Sequence, residues 1–206
     1  VFLAPYGYSF ILYMSSYKHH RVGLDLDNTL VYYDNVFAAE AKKQGLVSDE
    51  WQGTKQNLKD KLFSIQEGDK LWQKIQGQVY GPSMYKASLF PGVARFLLRC
   101  KLLGHTVFIV SHKTKYGHFD HTKTLLRQVA LDWMHSKGFF DKDKFSISKE
   151  NIFFASTRKE KVEKINSLKL NVFVDDLEEV FAEKGFPNIK KILFSKTCKN
   201  EYHNII

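Results

Sequence analysis

Apolar positions along the chain fall into short unbroken runs, separated by longer stretches in which they recur every three or four residues. The first run is Arg21–Leu26, carrying Val22, Leu24 and Leu26, and it is read as a strand. It stops at Asp27-Asn28-Thr29, a polar cluster of the kind that forms loops. From about Asp34 to Ala87 no run of β-branched residues occurs, and helices are expected near 34–45, 48–66 and 69–80. Gly45, Gly68 and the Gly81-Pro82 pair separate them, and Ser48 with Asp49 and Glu50 supplies a start for the second. Leu89-Phe90-Pro91-Gly92 marks a turn, followed by a helix over Val93–Leu103 with Gly104 as its cap. Thr106–Val110 is continuously apolar, as expected of a strand buried on both faces. A helix near 119–137 ends at Gly138, and a third strand is expected at Asn151–Phe154. An amphipathic helix follows at 158–168, with Val162, Ile165 and Leu168 inward. A fourth strand, Val172–Val174, runs into Asp175-Asp176; a short helix at Leu177–Glu183 and a fifth strand at Lys191–Phe194 complete the pattern.

Short apolar strands alternating with helices predict an α/β fold, a parallel sheet covered by helices on both faces. The helical block 34–87 interrupts that alternation directly after the first strand, so it is expected to be an insertion that caps the sheet edge. The division expected is an N-terminal extension (1–20), a core built from 21–33 and 88–206, and the cap (34–87).

Composition narrows the class of protein. Of 206 residues, 44% are apolar and 15% aromatic, enough for a real core and too much for a disordered chain. The formal charge of +9 favours anionic partners, although the lysines are scattered like those of a solvated basic surface. Cys100 and Cys198 lie far apart with no Cys/His cluster, so neither zinc nor a disulfide scaffold is expected, and a reducing, cytoplasmic setting is. Residues 1–13 are apolar and aromatic but have no basic start and no clear cleavage site, and are too short for a membrane-spanning helix. Met14 opens a polar stretch, which points to a start there or to an upstream segment; an edge strand or short interfacial anchor is the rival reading. No other stretch has transmembrane character.

In an open parallel sheet, ligands bind beyond the carboxyl ends of the strands. The residues expected there are Asp25, Asp27, Asn28 and Thr29 after the first strand, and Ser111, His112 and Lys113 after the second. Arg158, Lys159 and Lys161 follow the third, and Asp175 and Asp176 the fourth. Carboxylates facing one another repel unless a cation sits among them, and an all-oxygen donor set suits Mg²⁺.

These segments resemble the motifs of the haloacid dehalogenase-like superfamily. VGLDLDNTLV is similar to its first motif, Asp-x-Asp-x-Thr-Leu after an apolar strand, and FIVS at 108–111 to its second, a strand ending in Ser or Thr. A lysine ahead of FVDD resembles the third motif and Asp175-Asp176 the fourth. LFPGV before the second motif is also common there. The likeness spans about Arg21 to Phe194, and all four motifs occur in order.

The resemblance implies a Rossmann-like three-layer core with a cap, and a Mg²⁺-dependent phosphomonoester hydrolase. Asp25 would be the nucleophile and form an aspartyl-phosphate, and Asp27 would protonate the leaving alcohol and then activate water. Superfamily members that are not phosphatases often lack this second aspartate. Asp25, the backbone carbonyl of Asp27 and Asp176 would hold Mg²⁺, with Asp175 supporting them from behind. Ser111 would hydrogen-bond a phosphoryl oxygen, and Lys161, or alternatively Lys159, would neutralise the charge developing there. Asn28, His112 and Lys113 are further candidates for substrate binding.

Several residues have plainer readings. His118, His121 and His135 lack metal-ligand spacing and are expected at the surface. Trp51, Trp72, Tyr80 and Tyr85 are expected to pack the cap rather than to form a substrate platform. The expected substrate is a small metabolite such as a nucleotide or sugar phosphate. The basic charge motivates a second possibility, a phosphatase of nucleic-acid ends or of phosphoproteins, although no nucleic-acid-binding motif is present. A non-catalytic regulatory protein on the same fold is the third.

Overall fold

A computed structural model describes residues 18–117 and 123–195. The readings placed on residues 1–13, on His118, His121 and Cys198 and on the start of the 119–137 helix lie outside them.

Five parallel strands form the central sheet: β1 (Arg21–Leu24), β4 (Thr106–His112), β5 (Ile152–Ala155), β6 (Val172–Asp175) and β7 (Lys190–Leu193), in the order β5-β4-β1-β6-β7. β1 is therefore central, hydrogen-bonded to β4 and β6. Alternate residues of β4 face opposite sides, as pleating requires. Val107 and Ile109 pack with Val93 and Leu97 of α4 (Val93–Leu102) and with Ala130, Trp133 and Met134 of α5 (Leu126–Ser136). Phe108 and Val110 pack with Val162 and Ile165 of α6 (Arg158–Ser167) and Val180 of α7 (Glu178–Ala182). Gly23 of β1 allows this close layering, because a Cβ there would lie 2.4 Å from Leu170 Cδ1 and 2.5 Å from Phe173 Cδ2. This is the expected three-layer α/β architecture.

Between β1 and β4 the chain forms α1 (Asp34–Lys43), α2 (Lys55–Phe63) and α3 (Gly68–Tyr80). Phe37 of α1 stacks on Trp72 of α3, with ring centroids 5.2 Å apart, above buried Leu58, Leu62, Ile75 and Val79. A two-stranded antiparallel ribbon closes the neck of this helical block: β2 (Val31–Tyr32) pairs with β3 (Ser88–Leu89), with Val31 opposite Leu89. Sequence periodicity does not reveal so short a pairing.

Several boundaries differ from the sequence expectation. α2 starts at Lys55 rather than near Ser48. Thr54 and Asn57 exchange hydrogen bonds in a reciprocal cap, with Thr54 Oγ1 accepting from the Asn57 N–H at 3.2 Å and Asn57 Oδ1 from the Thr54 N–H at 2.9 Å. Ser48 is followed three places on by Trp51, which offers no such return bond. α5 starts at Leu126. β4 continues through Ser111 and His112, because Phe154 and Ala155 of β5 continue its ladder. Likewise Asp175 remains in β6, opposite Leu193. β1, by contrast, ends at Leu24, where the backbone turns so that Leu26 O accepts from both Leu30 N and Val31 N at 3.0 Å.

Candidate active site

The turn after β1 delivers Asp25 to the carboxyl edge of the sheet, its N–H still bonded to Val174 O at 2.9 Å. Its side chain is buried. Lys161 reaches it from the first turn of α6, a helix whose start is set by Thr157 accepting from the Glu160 N–H. The Lys161 ammonium lies 2.6 Å from Asp25 Oδ1 and 2.6 Å from Asp175 Oδ2. Asp175 Oδ1 accepts from the Leu177 N–H at 3.0 Å, so both of its oxygens are engaged. Asp176 turns toward the cavity, with Thr29 Oγ1 within 3.5 Å. Lys159, the alternative third-motif lysine, is 79% exposed and faces Glu163 instead.

Asp27 has two buried neighbours. The Tyr33 hydroxyl donates to its Oδ1 at 2.5 Å, and the Lys113 ammonium lies 2.7 Å from its Oδ2. Lys113 therefore lines the cavity with its charge already paired to Asp27. Ser111 is fully buried and its hydroxyl has no hydrogen-bond partner among the described residues, an unusual state for a buried polar group. His112 is exposed at the cavity wall, with Nε2 3.0 Å from Ser156 O. Asn28 adopts a left-handed backbone (φ 63°), and its Oδ1 accepts from Lys55 Nζ at 2.9 Å.

Lys55 comes from α2, between β1 and β4 in the chain, and also reaches Tyr80 Oη at 3.0 Å. Together with Tyr33 and Tyr80 it forms a part of the site that the motifs do not disclose. None of the three belongs to a motif: Lys55 and Tyr80 meet the site across 25 or more residues, and Tyr33 reaches Asp27 only because the turn after β1 folds back between them. Of the aromatic residues singled out earlier, Trp72 is buried against Phe37, Trp51 packs partly buried on the core and Tyr85 is exposed. Tyr80 lines the cavity. That cavity has a volume of about 500 Å³; its floor holds Asp25, Asp27, Asp175 and Asp176, and Lys55, Trp72, Gln73, Gln76 and Tyr80 line its wall from α2 and α3.

Burial, reinforced by Asp175 and Asp27 and opposed by Lys161, pushes the Asp25 carboxyl up to about 8. Burial and then Asp175 push Asp176 up to about 6. Burial works against the Lys161 ammonium, but Asp25 and Asp175 outweigh it and raise its pKa. One ammonium thus leaves this carboxylate group short of positive charge. Oxygens of Asp25, Asp175 and Asp176 all lie within 4.8 Å of one another. An all-oxygen, under-neutralised set of this kind fits a hard divalent cation. Among the described residues no helix is long and apolar enough to cross a membrane.

No model of a known protein family matches the chain. It is 24% identical over 179 residues, covering 84% of the chain and 85% of the relative, to a protein of Oceanobacillus iheyensis named "Putative nucleotidase OB0422". It is 25% identical to a "Putative nucleotidase" of Bacillus cereus, over 76% of each chain. Among solved structures it is similar to a haloacid dehalogenase-like family hydrolase of Streptococcus pneumoniae, with a TM-score of 0.52 and 14% identity over 85% of this chain and 84% of that one. A second hydrolase of that organism gives a TM-score of 0.53 with 13% identity, over 87% and 94%. In its fold the chain is similar to these haloacid dehalogenase-like hydrolases, sharing their parallel sheet flanked by helices.

Proposed function

We propose that the chain is a Mg²⁺-dependent phosphomonoester hydrolase acting on a small phosphorylated metabolite, with nucleotides favoured over sugar phosphates. The observation that carries this reading is the buried Asp25 carboxylate at the end of the central strand, bound by the Lys161 ammonium and gathered with Asp175 and Asp176. The names of the two relatives support a nucleotide.

In the first step an Asp25 oxygen attacks phosphorus, and the bond to the leaving oxygen breaks with its electron pair remaining on that oxygen. Asp27 supplies the proton that makes it an alcohol. In the second step Asp27 takes a proton from water as the water oxygen attacks the aspartyl-phosphate, releasing inorganic phosphate and restoring Asp25. The unpartnered Ser111 hydroxyl is suited to donate to a phosphoryl oxygen, and Lys161 to offset charge there. Asp25, Asp176 and the carbonyl of Asp27 would hold Mg²⁺, which when bound offsets the repulsion between the anionic nucleophile and the anionic ester. Residues 34–87 act as the cap, supported by Lys55 and Tyr80 entering the cavity from that segment.

Hydrolysis of an aryl phosphate, measured with Mg²⁺ and with a chelator, tests the reading. Activity is expected only with the metal, and Asp25→Asn is expected to lower it by at least about a thousandfold. Comparable turnover by Asp25→Asn would remove Asp25 as the nucleophile.

A further inference from the structure

Gln73 and Gln76 lie one helical turn apart on α3 and line the cavity together with Gly77 and Tyr80, on a single helix face. Both are partly buried. Among the described residues, neither carboxamide has a hydrogen-bond partner. Their neighbours differ in this respect: Gln56 donates to Asp60 at 2.7 Å, and Lys55 is committed to Asn28 and Tyr80. Two unspent carboxamides thus face the cavity whose floor carries the phosphate chemistry.

We propose that Gln73 and Gln76 determine specificity by taking the hydrogen-bonding edge of a nucleobase, so that the leaving group is a nucleoside. This rests on the phosphohydrolase reading above. A carboxamide presents a donor beside an acceptor, which matches the edge of a base. Apolar surface for the flat ring is near at hand, because Gly77 adds no side chain to the wall while Leu126 and the Tyr80 ring line the same cavity. The charges on the wall argue against a cationic leaving group. All four lining carboxylates belong to the sheet edge, whereas Lys55, Lys59 and Arg158 also line the cavity. The volume of about 500 Å³ is of the size that holds a small ligand.

Binding to the Asp25→Asn chain in Mg²⁺, measured by calorimetry, separates this proposal from the question of turnover. The probes are the nucleoside monophosphates of the common bases, with ribose 5-phosphate as a comparator that carries the same phosphate and sugar but no base. At least one nucleoside monophosphate is expected to bind about tenfold or more tightly than ribose 5-phosphate, and the Gln73→Ala/Gln76→Ala double variant is expected to erase most of that ratio. Alanine favours helix, so α3 is retained. Gln73→Glu and Gln76→Glu keep the shape and remove the donor, and should weaken bases that present carbonyl groups more than those that present amino groups. Equal affinity for ribose 5-phosphate and every nucleoside monophosphate overturns the proposal, as does a preference for the base that survives the double alanine variant. Failure of aryl phosphate hydrolysis would instead count against the hydrolase reading and leave this ratio unaffected.

Discussion

Asp27 is gripped from two directions. Tyr33, at the start of α1, holds one oxygen, and Lys113, just beyond β4, holds the other. Both partners are buried, with Tyr33 at 1% exposure and Lys113 at 3%, so the carboxylate has little freedom to turn. In the proposed mechanism Asp27 gives a proton to the departing oxygen and later takes one from water, and such a role gains from fixed aim. Lys113→Met is therefore expected to lower kcat about 10- to 100-fold while changing KM by less than about threefold, read from steady-state kinetics on an aryl phosphate. A rise in KM at constant kcat would mean that Lys113 contacts the phosphate rather than orienting Asp27. Lys161 differs in setting: two carboxylates bracket its ammonium, which repays the cost of burying it.

Among the elements, α2 matters out of proportion to its length. Its first residue, Lys55, crosses to Asn28 and Tyr80, so the helix start sets where that ammonium sits. The reciprocal cap between Thr54 and Asn57 holds that start in place. Thr54→Ala removes one half of the cap and is expected to cost about 1 kcal/mol of stability in urea unfolding. No loss would show that packing of Leu58 and Leu62 alone positions the helix. The β2–β3 ribbon acts at the same scale, clamping together the two ends of the segment that carries α1, α2 and α3, beside the turn that holds Asp25 and Asp27.

For the molecule as a whole, the carboxylate cluster stores charge at the expense of stability. Asp25 has a folded pKa of about 8 against an ordinary 3.8, so between those values the folded chain holds a proton that the unfolded chain has released. Stability of the metal-free protein must then fall as pH rises through that window and level off above it. In a chelator, the melting temperature is expected to fall from about pH 5 to about pH 8 more steeply for the native chain than for Asp25→Asn. Added Mg²⁺ should restore most of the loss at the upper end, since a cation favours the ionised carboxylates. Equal slopes for the two chains would show that Asp25 ionises without penalty in the folded state.

The chain's own pattern determined the alternation of strands and helices, because burial on two faces or on one leaves a periodicity in neighbouring residues. It also determined that polar residues follow four strands, and a parallel sheet must bring such residues to one edge. It favoured Lys161 and left Lys159 as the alternative, since both stand near the start of one helix. Only the packing of α6 on the sheet turned Lys161 inward and Lys159 to solvent. Strand ends were likewise decided by partners: Ser111 and Asp175 lie within strands because β5 and β7 continue the ladders beside them. Tyr33, Lys55 and the two glutamines of α3 could not be singled out from sequence, and Tyr80, expected to pack among the helices of 34–87, lines the cavity instead. Their places follow from how the helices of residues 34–80 settle on the sheet edge, an arrangement of the folded chain that no local pattern records.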